Sequence, residues 1–188
     1  AGEDQALSLE ALAQECYYSL TNSSVITAEV SRQVKKNTIA TGCCFAEVEV
    51  DMKLGQIKVL HIINVHDSGK LLNPQLAEMQ VHGGMSMGMG YGLSEQLILD
   101  EKTGRLLNGN LLDYKLMTAL DTPDIKAGFV ELDDPMGPYG NKALGEPPAI
   151  PSAPAIRNAV LHATGVAFNE NPLTPQRLID GFQKAGLI

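Results

Sequence analysis

One carboxylate near the C-terminal end of the chain has the sequence surroundings of a catalytic base. Residues 133–148 read DDPMGPYGNKALGEPP, and Glu146 lies between Gly145 and Pro147. Gly145 permits backbone conformations that other residues avoid, and Pro147 favours an extended conformation at Glu146. A carboxylate on such a stiff loop could accept a proton as a general base, or it could cap or salt-bridge its own loop.

A second candidate is the glycine-rich and methionine-rich stretch over residues 81–92, VHGGMSMGMGYG. Gly84, Gly88 and Gly92 are four residues apart, so on a helix they form a bare stripe along one face. Such a stripe allows a second backbone or a flat ligand to approach closely. The spacing leaves tight helix packing and ligand contact equally open.

The three methionines of this stretch do not predict a metal site. Met85, Met87 and Met89 alternate with a period of two, so on a helix their sulfur atoms would not converge on one ion. We therefore expect methionines that fill gaps in the core and do not handle copper.

Histidines and cysteines give no ligand pairing of the kind that zinc sites show. His66 and His82 lack an HxxxH or CxxC partner, so we expect no protein-held metal. Cys43 and Cys44 are adjacent at a strand start, and we expect an inert pair. With Cys16 they make an odd total of three, which is a poor disulfide framework and favours a reducing, cytoplasmic compartment.

Composition limits the classes of partner. The chain has 188 residues, 14 Lys and Arg against 22 Asp and Glu, and a net charge of −8. The scattered basic residues argue against binding to nucleic acid or to an anionic membrane.

No apolar run is long enough to span a membrane, and residues 1–4 do not begin a signal peptide. Since the chain lacks an initiating Met, we expect a processed product or a fragment of a longer protein.

The length predicts a single domain over residues 1–188. Helices and strands alternate without a regular βαβ rhythm, so we predict an α+β fold with a mixed sheet. Helices are predicted over residues 8–20, 154–164 and 175–185, and strands over residues 24–34, 45–50, 57–65, 105–107 and 125–132. The strands at 45–50 and 57–65 are expected to pair as a hairpin, and a turn is expected at 101–104.

Three blocks of the sequence resemble the molybdenum hydroxylase family, in particular the molybdenum-binding subunit of bacterial xanthine dehydrogenases. The similarity extends from about Ser8 to Ile188, and the blocks occur in the family's order and spacing. They are NVHDSGKLLNPQLAEMQVHGGMSMGMGYGLSE, LLDYK and PYGNKALGEPPAIPSAPAIRNAV.

The resemblance implies the C-terminal portion of a molybdopterin-binding domain and oxidation of a purine such as xanthine or hypoxanthine, or of a related N-heterocycle. Glu146 matches the glutamate of the GEPP motif, which acts as the general base that deprotonates the molybdenum-bound hydroxide. Gln80 matches a residue that lies against the pterin cofactor. An aldehyde-oxidising molybdenum hydroxylase subunit and a non-catalytic scaffold or assembly subunit are the alternatives.

The resemblance also implies cofactors and partners. The expected cofactor is a molybdopterin-type molybdenum cofactor whose metal is held by pterin sulfurs, with FAD and 2Fe–2S clusters on partner chains or domains. The family's subunit is several times longer, and its first cofactor-binding segments and purine-clamping residues have no counterpart here. We therefore expect this chain to need the remainder of the molybdenum subunit for activity.

Overall fold

A computed structural model of the chain describes residues 6–20, 27–31, 33 and 36–188. The chain divides into two compact units, residues 1–35 and 36–188. The single domain expected from the length stays a prediction, and each unit is described by itself.

In the first unit, helix α1 (Leu9–Tyr18) confirms the N-terminal helix predicted from the sequence. The side chain of Ser8 accepts a hydrogen bond from the amide of Ala11 at 3.1 Å, as an N-cap serine should. The strand predicted over residues 24–34 lies partly outside the described residues. Residues 27–31 and 33 have no regular structure, so for them the prediction is wrong.

The second unit contains a mixed three-stranded sheet in the order β1-β2-β3. Strands β1 (Thr41–Asp51) and β2 (Gln56–Asp67) pair antiparallel, which confirms the predicted hairpin. Strand β3 (Asp124–Phe129) lies parallel to β2 and confirms most of the strand predicted over residues 125–132.

Three further helices complete this unit. Helix α2 (Pro74–Leu93) contains the glycine-rich stretch and begins after Asn73, whose side chain accepts from the amide of Leu76. Helix α3 (Ser152–Thr164) starts two residues before the predicted position and ends, as predicted, at Gly165. Helix α4 (Pro175–Lys184) matches its prediction to within one residue. The predicted α+β class is therefore confirmed.

The core lies between the sheet and helices α2, α3 and α4, in two clusters of buried apolar side chains. The first joins β2, α2 and α3, and the second joins α3 and α4. Their buried members are Val59, Ile62, Val81, Met85, Met89 and Ile156 in the first cluster, and Val160, Leu173, Leu178 and Phe182 in the second.

The region between α2 and β3 has less regular structure than expected. The predicted turn forms, with Gly104 at a φ of +68°. The predicted strand over residues 105–107 is reduced to a single bridge between Leu99 and Leu106.

None of the helices in the described ranges is long and apolar enough to cross a membrane.

Candidate functional site

The glycine stripe of α2 is occupied by the chain that follows Glu146. A Cβ atom added to Gly84 would lie 2.7 Å from Cβ of Pro148, and one added to Gly88 would lie 2.3 Å from the carbonyl oxygen of Ala149. Both distances are far below normal contact, so only glycine allows this approach. Of the two uses left open for the stripe, tight packing is the one that the fold adopts.

Gln80, one turn before this stripe, contacts the glutamate loop directly. Its Nε2 donates a hydrogen bond of 3.0 Å to the carbonyl oxygen of Gly145, across 65 residues of sequence. The two site residues expected from the sequence, Gln80 and Glu146, therefore belong to one surface. Both side chains are exposed in this chain.

The backbone on the C-terminal side of Glu146 is anchored to strand β2. Pro148 is fully buried, and its carbonyl oxygen accepts from Nδ2 of Asn64, in the C-terminal half of β2, at 3.0 Å. The amide of Ala149 donates to the carbonyl oxygen of Glu146 at 2.9 Å, which closes a turn around the two prolines. This is the stiff stem that the glycine and proline pattern predicted.

The N-terminal part of the loop is paired with the turn that follows β2. The amide of Lys142 donates to the carbonyl oxygen of Ser68 at 2.7 Å, and that of Lys70 donates to Gly140 at 2.9 Å. Gly69, between Ser68 and Lys70, has a φ of +66°, and an added Cβ would lie 2.2 Å from the carbonyl oxygen of Gly140. The glycine of the DSGK segment is therefore required by both its conformation and its neighbour.

A nearly buried ion pair joins the same two segments. Nζ of Lys142 lies 2.5 Å from Oδ2 of Asp67, and the two side chains are 11% and 12% exposed. The hydrogen bond from Lys142, followed by the one from the Gly69 amide, holds the pKa of the Asp67 carboxyl below its ordinary value. No local pattern in the sequence indicates this pair, because the two residues lie 75 positions apart.

Glu146 itself is left unengaged by the part of the chain that the structure describes. Its carboxylate has no hydrogen bond or ion pair with any residue in the described ranges, although its backbone is anchored on both sides. The alternative in which Glu146 caps or salt-bridges its own loop therefore finds no support among these residues. A fixed stem with a free carboxylate suits proton transfer to a bound molecule.

His66 is buried and Cys44 packs, partly buried, against the first core cluster, whereas Cys43 is exposed. His66 is 1% exposed, neither ring nitrogen has a hydrogen-bond partner in the described residues, and burial lowers its pKa. Burial likewise raises the pKa of the Cys44 thiol to about 11, which agrees with the inert role expected for it. Within the described residues, no group of three or more His, Cys, Asp or Glu could hold a metal ion.

The methionine prediction is confirmed in two of three positions. Met85 and Met89 are fully buried in the first core cluster. Met87 is 65% exposed, because a period of two carries it to another face of the helix.

Comparison with protein-family models gives a match to the molybdopterin cofactor-binding domain over residues 1–123. The match includes Gln80 and ends before the glutamate loop.

Comparison with curated proteins extends the similarity through that loop. The chain is 50% identical over 186 residues to the xanthine dehydrogenase molybdenum-binding subunit of Escherichia coli O157:H7, covering 99% of this chain and 25% of that one. It is 33% identical over 158 residues to the aldehyde oxidoreductase molybdenum-binding subunit PaoC of Escherichia coli K12, covering 84% and 21%. The chain thus spans about a quarter of the length of these relatives.

Solved structures show the same fold. Quinoline 2-oxidoreductase from Pseudomonas putida 86 superposes with a TM-score of 0.68 at 34% identity, over 73% of this chain and 18% of that one. Aldehyde oxidoreductase from Desulfovibrio gigas superposes with a TM-score of 0.70 at 28% identity, over 77% and 15%. The family model, the relatives and the fold agree: this chain belongs to the molybdopterin cofactor-binding domain family of the molybdenum hydroxylases.

Proposed function

We propose that this chain forms one wall of the molybdenum centre of a hydroxylase acting on a purine such as xanthine, with Glu146 as the general base. The observation that carries the proposal is the hydrogen bond from Gln80 to the carbonyl oxygen of Gly145. It places Gln80 against the residue that directly precedes Glu146, across 65 residues of sequence.

The residues around Gln80 fit a flat cofactor that brings its own metal ligands. Gln80 and Gly83 are three residues apart on α2 and therefore share a surface. A Cβ atom added to Gly83 or to Gly145 would have no neighbour within 4 Å, so neither glycine is covered by the described residues. With Nε2 of Gln80 engaged by Gly145, its Oε1 is left to accept from a bound pterin.

When bound, a molybdopterin cofactor supplies the two-electron acceptor for hydroxylation of an electron-poor carbon. Glu146 accepts the proton released as the attacking oxygen forms its bond to that carbon. Because the bonds at Gly145, Glu146 and Pro148 fix its backbone, the carboxylate needs little reorganisation to receive the proton. We further propose that the electrons leave through 2Fe–2S clusters to FAD on partner chains, in the cytoplasm.

A purine substrate is supported by the 50% identity to a xanthine dehydrogenase subunit. An aldehyde substrate is the second candidate, because the chain also matches PaoC at 33% identity. Comparing kcat/KM for hypoxanthine, xanthine and aromatic aldehydes with the complete enzyme separates the two. A preference for aldehydes would overturn the purine assignment and leave the role of Glu146 intact.

The base role is tested by Glu146→Gln in the complete enzyme. The amide keeps the shape of the side chain and removes the proton acceptor. We therefore expect kcat per molybdenum to fall about 10²- to 10⁴-fold. Molybdenum content should stay close to that of the wild type.

Glu101→Gln is the matched control, since Glu101 lies exposed in a turn outside the site and should leave kcat unchanged. Near-normal turnover of Glu146→Gln at full molybdenum occupancy would contradict the base role. Absence of molybdenum from the purified wild-type assembly would favour the non-catalytic scaffold.

A further inference from the structure

We propose that Asp67 and Lys142 form a positioning pair that fixes the glutamate loop on the turn after β2 and so sets where the Glu146 carboxylate lies. The inference rests on the base role proposed for Glu146. Neither residue is proposed to touch substrate or cofactor, and both are proposed to act through the loop.

The two oxygens of Asp67 have different partners. Oδ1 accepts from the amide of Gly69 at 3.0 Å and shapes the turn after β2, while Oδ2 pairs with Nζ of Lys142. One carboxylate therefore connects the end of the central strand to the loop that carries Glu146. Because water has little access to either side chain, the attraction is screened much less than in a surface pair.

Backbone hydrogen bonds next to the pair already align the glutamate loop with the turn after β2. Lys142 donates its amide to Ser68, and Gly140 accepts from Lys70, so the lysine side chain closes a segment that is already paired on both sides. Such a pair fixes the register of two segments as well as holding them together.

Lys142 is close enough to Glu146 to transmit a displacement. The two residues are four positions apart in the chain, which limits the distance between their Cα atoms to about 14 Å at full extension. Gly145, just before Glu146, is anchored to Gln80, and Pro148, just after it, is anchored to Asn64. Without the Lys142 side chain, the N-terminal part of the loop is held to the turn after β2 by its backbone hydrogen bonds to Ser68 and Lys70 alone, and the segment up to Glu146 gains freedom to shift. A shift of about 1 Å at a catalytic group can cost about 100-fold in rate.

The first experiment is Lys142→Met in the complete enzyme, which keeps the length of the side chain and removes its charge. We expect kcat per molybdenum to fall about 10- to 100-fold with KM changed far less, because substrate contacts remain. Lys142→Arg should recover most of the lost turnover, since a guanidinium can still pair with Asp67. Lys126→Met removes the lysine of an exposed pair with Asp124 and should have no effect.

A double-mutant cycle with Glu146→Gln separates positioning from general stabilisation. If Lys142 acts through Glu146, Lys142→Met should cause no further loss of turnover in the Glu146→Gln background. An equal loss in both backgrounds would overturn the proposal.

Asp67→Asn combined with Lys142→Met leaves no unpaired buried charge, and this double variant carries the same test if Lys142→Met fails to fold. We expect it to show the same loss of kcat per molybdenum. Wild-type turnover of the double variant would overturn the positioning role while leaving the base role untouched. Near-normal turnover of Glu146→Gln would instead overturn the base role, and the positioning pair with it.

Discussion

At the scale of single residues, the site depends on how its side chains divide their hydrogen-bonding capacity. Gln80 uses its amide nitrogen on the loop that carries Glu146, and its amide oxygen is available for a ligand. One residue thereby connects the position of the proposed base to the position of the proposed cofactor.

This double use predicts two losses from Gln80→Leu in the complete enzyme. Molybdenum content should fall because a contact to the cofactor is removed, and kcat per remaining molybdenum should fall about 10-fold because Gly145 loses its donor. Metal analysis together with steady-state kinetics measures both. Gln75→Leu, an exposed position on the same helix, is the control. Wild-type values for both quantities would contradict the role given to Gln80.

At the scale of elements, helix α2 organises the site because its glycines admit the backbone after Glu146. A glycine inside a helix costs roughly 1 kcal/mol relative to alanine, so the close packing must offset that cost at each position of the stripe. Gly83 and Gly88 lie on the same helix and differ in this respect, since only Gly88 has a close neighbour.

The difference predicts opposite effects of one substitution. Gly88→Ala should lower the free energy of unfolding by about 1–3 kcal/mol, because the new methyl group meets the carbonyl oxygen of Ala149 and a buried core tolerates extra volume poorly. Gly83→Ala should raise it by about 0.5–1 kcal/mol through helix propensity alone. Denaturant unfolding of the chain measures both, and a stabilised Gly88→Ala would show that the stripe is not tightly packed.

At the scale of the whole molecule, burial of one imidazole should make stability depend on pH. His66 lies near the end of β2, is 1% exposed, and has no partner for either ring nitrogen within the described residues. Burial places its pKa in the folded chain below the value of about 6.5 expected in the unfolded chain. The folded state therefore binds fewer protons in the range between the two pKa values.

Stability should accordingly fall as the pH drops below about 6.5, by at most about 1.4 kcal/mol per pH unit, until His66 protonates in the folded chain as well. The Asp67 carboxyl, whose pKa is also lowered, adds a separate loss only at pH values below about 3.9. Thermal denaturation between pH 7 and pH 5 should show a flatter dependence for His66→Met than for the wild type. His162→Met, at an exposed site, should keep the wild-type slope. Equal slopes in His66→Met and the wild type would refute the assignment.

Much of the fold could be predicted because its signals are local. Ser8 marks the start of α1, Gly165 the end of α3, and the alternation over residues 45–50 and 57–65 predicts a hairpin. The strand over residues 105–107 was overpredicted, since its short apolar run finds only a single bridge to Leu99. Strand propensity is realised only where a neighbouring strand supplies partners.

For the candidate site, the sequence determined the residue types: a carboxylate between glycine and proline, a helix with one bare face, and motifs that relate both to the molybdenum hydroxylases. Only the tertiary structure decided which partner fills the bare face, that Gln80 meets Gly145, and that Asp67 pairs with Lys142. The physical reason is that backbone conformation and helix periodicity depend on near neighbours in the chain. These contacts join segments 61 to 75 residues apart, and they exist only once the sheet and α2 have packed around a common core.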